Sequence, residues 1–201
     1  MRGKREYVLN SRKVAAAAVF TAVGLAISPL SFEWLGTRAF PGQHLVNVLS
    51  GTLLGPLWAV AVSIAVGTIR LAMGTGTVFA YPGGIPGAIA VSLAFFLTSK
   101  FTRPSMRYLA SFAEPLGTVL VGGTLSLLVV APLLGPGVGP SAALLRSLEN
   151  FGPYTALLIL WGGWFTSSII GSILGYFLLV AAHKYGVLGR MYTSARAGSR
   201  R

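Results

Sequence analysis

Residues 40–47 read Phe-Pro-Gly-Gln-His-Leu-Val-Asn and lie between two long apolar stretches. The segment sets Gln43, His44 and Asn47 where a lipid-soaked helix should carry Leu or Val. Polar groups are costly at membrane depth unless they are paired or face a cavity. Such groups therefore mark a candidate site. The apolar setting follows from composition. Of 201 residues, 54% are hydrophobic and 10% are charged, and mean hydropathy is +0.73. A soluble domain carries about 25% charged residues. This chain cannot cover a water-facing surface, and it reads as an all-α integral membrane protein.

Six apolar spans are expected, roughly over 13–31, 43–55, 56–73, 85–99, 112–133 and 153–182. The second to fourth are short for a span of ~20 residues. Gly55-Pro56 separates the second from the third and predicts a hairpin of short or tilted helices. The N-terminus is basic, but the apolar run after it is too long for a cleavable signal and reads as a retained first helix. A basic N-terminus over 1–12, a membrane domain over 13–183 and a basic tail over 184–201 follow.

The net charge of +12 is mainly a topology signal. Arg2, Lys4, Arg5, Arg12 and Lys13 precede span one. Lys100, Arg103 and Arg107 lie between spans four and five. Lys184, Arg190, Arg196, Arg200 and Arg201 follow span six. With six spans these segments share one side, which the positive-inside rule makes the cytoplasm. Both termini are then cytoplasmic, and the basic tails sit near anionic lipid. The other side receives Arg38 and Arg146, with Arg70 near the outer end of span three. Its connections, 32–42, 74–84 and 134–152, are rich in Gly, Pro and aromatics.

Helix faces carry a second signal. Ala18, Ala22 and Ala26 recur every four residues and share one face of span one. Small residues allow close helix approach, either within this chain or to another membrane subunit. Gly163, Ser167, Gly171 and Gly175 have the same spacing in span six, where internal packing is expected. Other chemistry is missing from the sequence. It has no Walker A loop, no His-Glu-x-x-His and no cysteine. His44 and His183 fall on opposite sides and cannot share a metal, so neither a metal site nor a cofactor is expected. No catalytic set emerges and no nucleic-acid partner is called for. Glu114 falls at the inner end of span five and reads as a packing or subunit contact.

Two segments, FPGQHLVNVLSGTLLGP at 40–56 and GTGTVFAYPGGIPGA at 74–88, resemble the ThiW family. The resemblance covers nearly the whole chain. ThiW proteins are substrate-capturing S components of energy-coupling factor (ECF) vitamin importers. The resemblance implies a multi-pass subunit of a bacterial or archaeal cell membrane, built as a six-helix S-component bundle. It implies a transmembrane coupling subunit and two ATPase subunits as partners, with Ala18, Ala22 and Ala26 as the docking face. It also implies a thiazole or thiamine-type ligand, hydroxyethylthiazole in the first place. The alternatives are another thiamine-related precursor or, in a different class, a small membrane enzyme such as an acyltransferase.

On this reading His44 is the first choice for ligand contact, unless it only bonds a loop carbonyl. Gln43 and Asn47 bracket it in one polar sector. Arg70 donates to ligand, snorkels outward or pairs with Glu33. Thr75, Thr77 and Tyr81 line a lid or serve turn chemistry. Trp34, Phe40, Trp161 and Trp164 are candidate walls. Asn150 and Tyr154 begin span six within reach of the pocket. Pro41, Gly42, Pro82, Gly83 and Gly84 shape the backbone.

Overall fold

A computed structural model describes residues 11–102 and 104–187. The basic positions Arg2, Lys4, Arg5, Arg103, Arg190, Arg196, Arg200 and Arg201 lie outside them, as does most of the expected basic N-terminus and tail. The described chain is almost entirely helical. Helix α1 spans Ser11–Ala26, α2 Pro41–Leu53, α3 Pro56–Ala72 and α4 Ala80–Phe101. Helix α5 runs through Met106–Leu134 and α6 through Gly139–Lys184. Helices α4, α5 and α6 are long and apolar enough to cross a membrane. Their exposed side chains include Leu93, Phe96, Leu120, Leu158, Phe165 and Phe177, so the bundle shows an apolar exterior. Its polar side chains are drawn inside.

Local sequence explains the breaks. Pro41 and Pro56 open α2 and α3 at the first turn, where a missing N–H costs nothing. Gly55 between them has φ +88° and ψ 176°, a conformation reserved for glycine. The expected short hairpin is therefore present. Two expectations are corrected. Residues 139–151 form the first part of α6, so the connection expected over 134–152 shrinks to 135–138. Gly152, at φ 72°, breaks the helix just before Pro153. Helix α4 also begins five residues early, at Ala80. Pro82 fits its first turn, so Tyr81, Gly83 and Gly84 belong to a helix and not to a lid.

The segment expected as a loop over 32–42 contains a small antiparallel ribbon. Strands β1 (Phe32–Trp34) and β2 (Thr37–Ala39) pair Trp34 with Thr37 and Phe32 with Ala39. Leu35 and Gly36 both take positive φ, as a tight two-residue hairpin turn requires. The ribbon is tied to α6. Trp34 Nε1 donates to the Ile159 carbonyl at 2.9 Å, and Trp164 Nε1 donates to Thr37 Oγ1 at 3.0 Å.

Close helix approach depends on residues without side chains. Gly171 and Gly175 of α6 face α2, and a Cβ on Gly175 would lie 2.8 Å from Val48 Cβ. Gly163 lies under the Trp34 ring. The span-six stripe thus packs internally. Leading into α5, Pro104–Ala113 winds tightly as a 3-10 helix, then Leu116–Gly123 and Ser126–Val130 open into π turns. Bonding from i to i+5 stacks residues five apart. Gly117 and Gly122 consequently face α4 together, against the carbonyls of Pro86 and Pro82. Pro86 has no N–H to offer the Pro82 carbonyl, and Gly122 leaves room for that carbonyl.

Gly175→Leu should lower stability by roughly 1–3 kcal/mol through overpacking. Gly162→Leu, on the exposed side of the same helix, should be neutral. Thermal unfolding in detergent reads both, and equal melting temperatures would contradict the packing account.

Candidate functional site

The site grows from α2. Pro41 starts the helix, and the next turns direct Gln43, His44 and Asn47 inward, where all three are buried. His44 Nδ1 lies 2.8 Å from Glu114 Oε1 on α5. Asn47 Nδ2 donates to the same oxygen at 2.9 Å and to the Gly84 carbonyl of α4 at 3.0 Å. Thr118 Oγ1 is 2.7 Å from Glu114 Oε1 and 2.8 Å from the Gly83 carbonyl. Ser168 of α6 donates to Glu114 Oε2. Gln43 Nε2 reaches Asn47 Oδ1 at 3.1 Å and Ser63 Oγ of α3 at 3.4 Å. Side chains and backbone from five helices thus meet in one network.

Glu114, expected as a packing or subunit contact, packs within the chain and has no surface left for another subunit. Glu114 is fully buried and is the acceptor at the centre of the network. A buried carboxylate is tolerable only when charge and hydrogen bonds compensate it. His44 is consequently not a free ligand donor at both nitrogens. Glu114 occupies Nδ1, which leaves Nε2 as the ring nitrogen for other partners.

Beside the network lies a small pocket that is partly open to solvent. Phe40, Phe79 and Trp164 supply aromatic walls. Gln43, His44, Arg38, Arg70, Thr118 and Ser167 supply polar groups. Three buried polar atoms on this lining have no hydrogen-bond partner: Gln43 Oε1, Arg70 Nε and Ser167 Oγ. Buried polar atoms are normally satisfied. All three belong to residues that line this pocket, which makes it a candidate place for a polar ligand. The guanidinium of Arg70 also sits 4.0 Å over the Phe40 ring and donates through Nη2 to the Thr75 carbonyl at 2.8 Å. It neither snorkels outward nor pairs with Glu33.

Other expected site residues lie elsewhere. Asn47 serves the network behind the lining. Thr75 holds the turn after α3, where its hydroxyl and backbone N–H engage the Arg70 carbonyl. Thr77 is not on the cavity lining, and its carbonyl accepts from the Ala80 N–H at the start of α4. Tyr81 bonds Thr68 of α3 at 3.1 Å and packs beside Gly67. Trp34 anchors the ribbon, and Trp34 and Trp161 pack behind the lining against the apolar cluster that includes Phe79 and Trp164. Asn150 is exposed, and Tyr154 is 85% exposed. Asn150 belongs to the helix over 139–151, and neither residue lines the cavity. Ala18, Ala22 and Ala26 are exposed and make no part of the core.

A family model for ThiW, thiamine-precursor transporter protein, matches residues 14–185. The chain belongs to the ThiW family. No curated protein and no solved structure matches it. The family reading makes this a thiamine-precursor transporter protein of the membrane. The ThiW match spans every residue of the network and the cavity. Sequence reading missed Arg38, Phe79, Thr118 and Ser167 on the lining, and Glu114 and Ser168 in the network behind it. A signal for Glu114 was present, since an acid inside an apolar run is a site candidate. Thr118, one turn further on, shares its face.

Glu114→Leu should cost roughly 3–5 kcal/mol, because it strands the donors of His44, Asn47 and Ser168. The His44→Leu/Glu114→Leu double variant should cost less than the two single changes added together. Additive losses in thermal unfolding would argue against a coupled pair.

Proposed function

We propose that this chain is the substrate-binding S component of an ECF-type importer and that its ligand is a thiazole precursor of thiamine, hydroxyethylthiazole or a close derivative. The observation carrying this reading is the cavity with three unpartnered, buried polar atoms beside aromatic walls. A heteroaromatic ring suits Phe40, Phe79 and Trp164. Ring nitrogen and side-chain oxygen suit Arg70, Ser167, Gln43 and the free nitrogen of His44. Hydroxyethylthiazole has about nine heavy atoms, and the best small ligands gain at most ~1.5 kcal/mol per atom. Nanomolar affinity requires ~12 kcal/mol, so the ligand must be nearly enclosed and each polar atom matched.

The sequence has no phosphate-binding loop, so energy must come from another subunit. The exposed stripe Ala18, Ala22 and Ala26 fits such a partner, a transmembrane coupling subunit that itself carries two ATPases. Positive-inside orientation places the cavity end outside and both termini in the cytoplasm.

Calorimetry on the purified chain should show hydroxyethylthiazole binding without ATP. Ser167→Ala should weaken it about tenfold, the worth of one hydrogen bond to a well-placed ligand. Because that hydroxyl is unpartnered without ligand, the melting temperature of the free protein should stay the same. Absence of binding by thiazole and other thiamine-related compounds would refute the ligand assignment. Ala22→Trp should abolish uptake in cells while sparing ligand binding. Undiminished uptake would remove α1 as the docking face.

A further inference from the structure

Two arginines line the cavity, and neither forms an ion pair, although Glu33 stands opposite Arg38 across the β ribbon. Among the described residues the only ion pair is His44–Glu114. Glu114 takes its hydrogen bonds from His44, Asn47, Thr118 and Ser168 and none from a guanidinium. Glu33 and Glu149 are exposed and form no bridge to Arg38 or Arg70. Arg70 is 2% exposed, yet its hydrogen bonding is incomplete: Nη2 serves the Thr75 carbonyl and Nε serves nothing. The Phe40 ring beneath it offsets part of the buried charge without neutralising it. Arg38 stands exposed on the same lining.

A buried cation without a counter-charge is strongly unfavourable, and a guanidinium fork matches the oxygens of carboxylate or phosphate. We propose that the ligand of this cavity carries an anionic oxygen group, a carboxylate or a phosphate ester on the heteroaromatic scaffold, which docks on Arg70 and is drawn in past Arg38. This inference rests on the thiazole reading above for the ring and adds the charge. Arg70 Nε and the Ser167 hydroxyl donate to the anionic group. Gln43 Oε1 calls for a donor on the ligand, which a hydroxyl or a protonated phosphate oxygen provides. The aromatic walls hold the ring. The arrangement discriminates by charge because an uncharged ligand leaves Arg70 uncompensated in a poorly solvated site.

The test compares hydroxyethylthiazole, its phosphate monoester and a thiazole carboxylate by calorimetry on the purified full chain in detergent. Inorganic phosphate and acetate are added in parallel thermal-shift assays. At least one anionic thiazole should bind about tenfold or more tightly than the neutral compound. Which of the two does so identifies the group. Arg70→Gln should erase that preference, and Arg38→Gln, at an exposed position that folding tolerates, should reduce it. Equal or tighter binding of the neutral compound by the wild-type protein overturns the inference and leaves the thiazole reading standing. Stabilisation by phosphate or acetate that is lost in Arg38→Gln, with no thiazole bound in any form, supports the anion site and refutes the thiazole reading. No response to any anion overturns the inference.

Discussion

The carboxylate of Glu114 is the constraint on which the rest of the bundle depends. It is buried on α5, yet its two oxygens collect donors from α2, α5 and α6. Asn47 and Thr118 extend the network to the α4 backbone at Gly84 and Gly83. In lipid the apolar effect gives helices little reason to associate with one another. Polar contacts of this kind and close packing must supply register. A carboxylate that has one arrangement with every donor in place fixes the rotation of each contributing helix about its axis.

Glycine makes that arrangement reachable. Gly87 of α4 faces Glu114 and Thr118 so closely that a Cβ there would collide with both. Gly171 lies against the α2 backbone just behind His44. The wide turns of α5 bring Gly117 and Gly122 to the same neighbour. Helix backbones therefore approach until short side chains such as Ser168 and Thr118 can touch the carboxylate. The same closeness orders the cavity wall, because Gln43, His44, Gly83, Gly84 and Thr118 belong at once to the network and to the lining. Site geometry is thus set before any ligand arrives, which lowers the ordering cost of binding.

Legibility in the sequence followed the range of the physics involved. The polar sector of α2 was readable because three polar residues in an apolar run break a local pattern. The Gly55-Pro56 break and the internal stripe of α6 were readable for similar reasons. The ribbon at 32–39 was not, since three-residue strands leave no periodicity. Nor was the helix over 139–151, where Gly and Pro at 135–140 read as an extended loop. Tyr154, placed at the start of span six within reach of the pocket, instead faces outward.

Sequence by itself determined that the chain belongs in a membrane, that polar groups cluster on α2, and that span one carries a small-residue face. These are properties of composition and of neighbours within two helical turns. Tertiary structure alone decided that Glu114, 70 residues away in sequence, is the partner of His44. It alone decided that Arg70 forms no ion pair and that Phe79, Trp164 and Ser167 line the cavity with it. Compensation of a buried charge depends on which atoms folding brings within about 3 Å, and no local pattern records those distances.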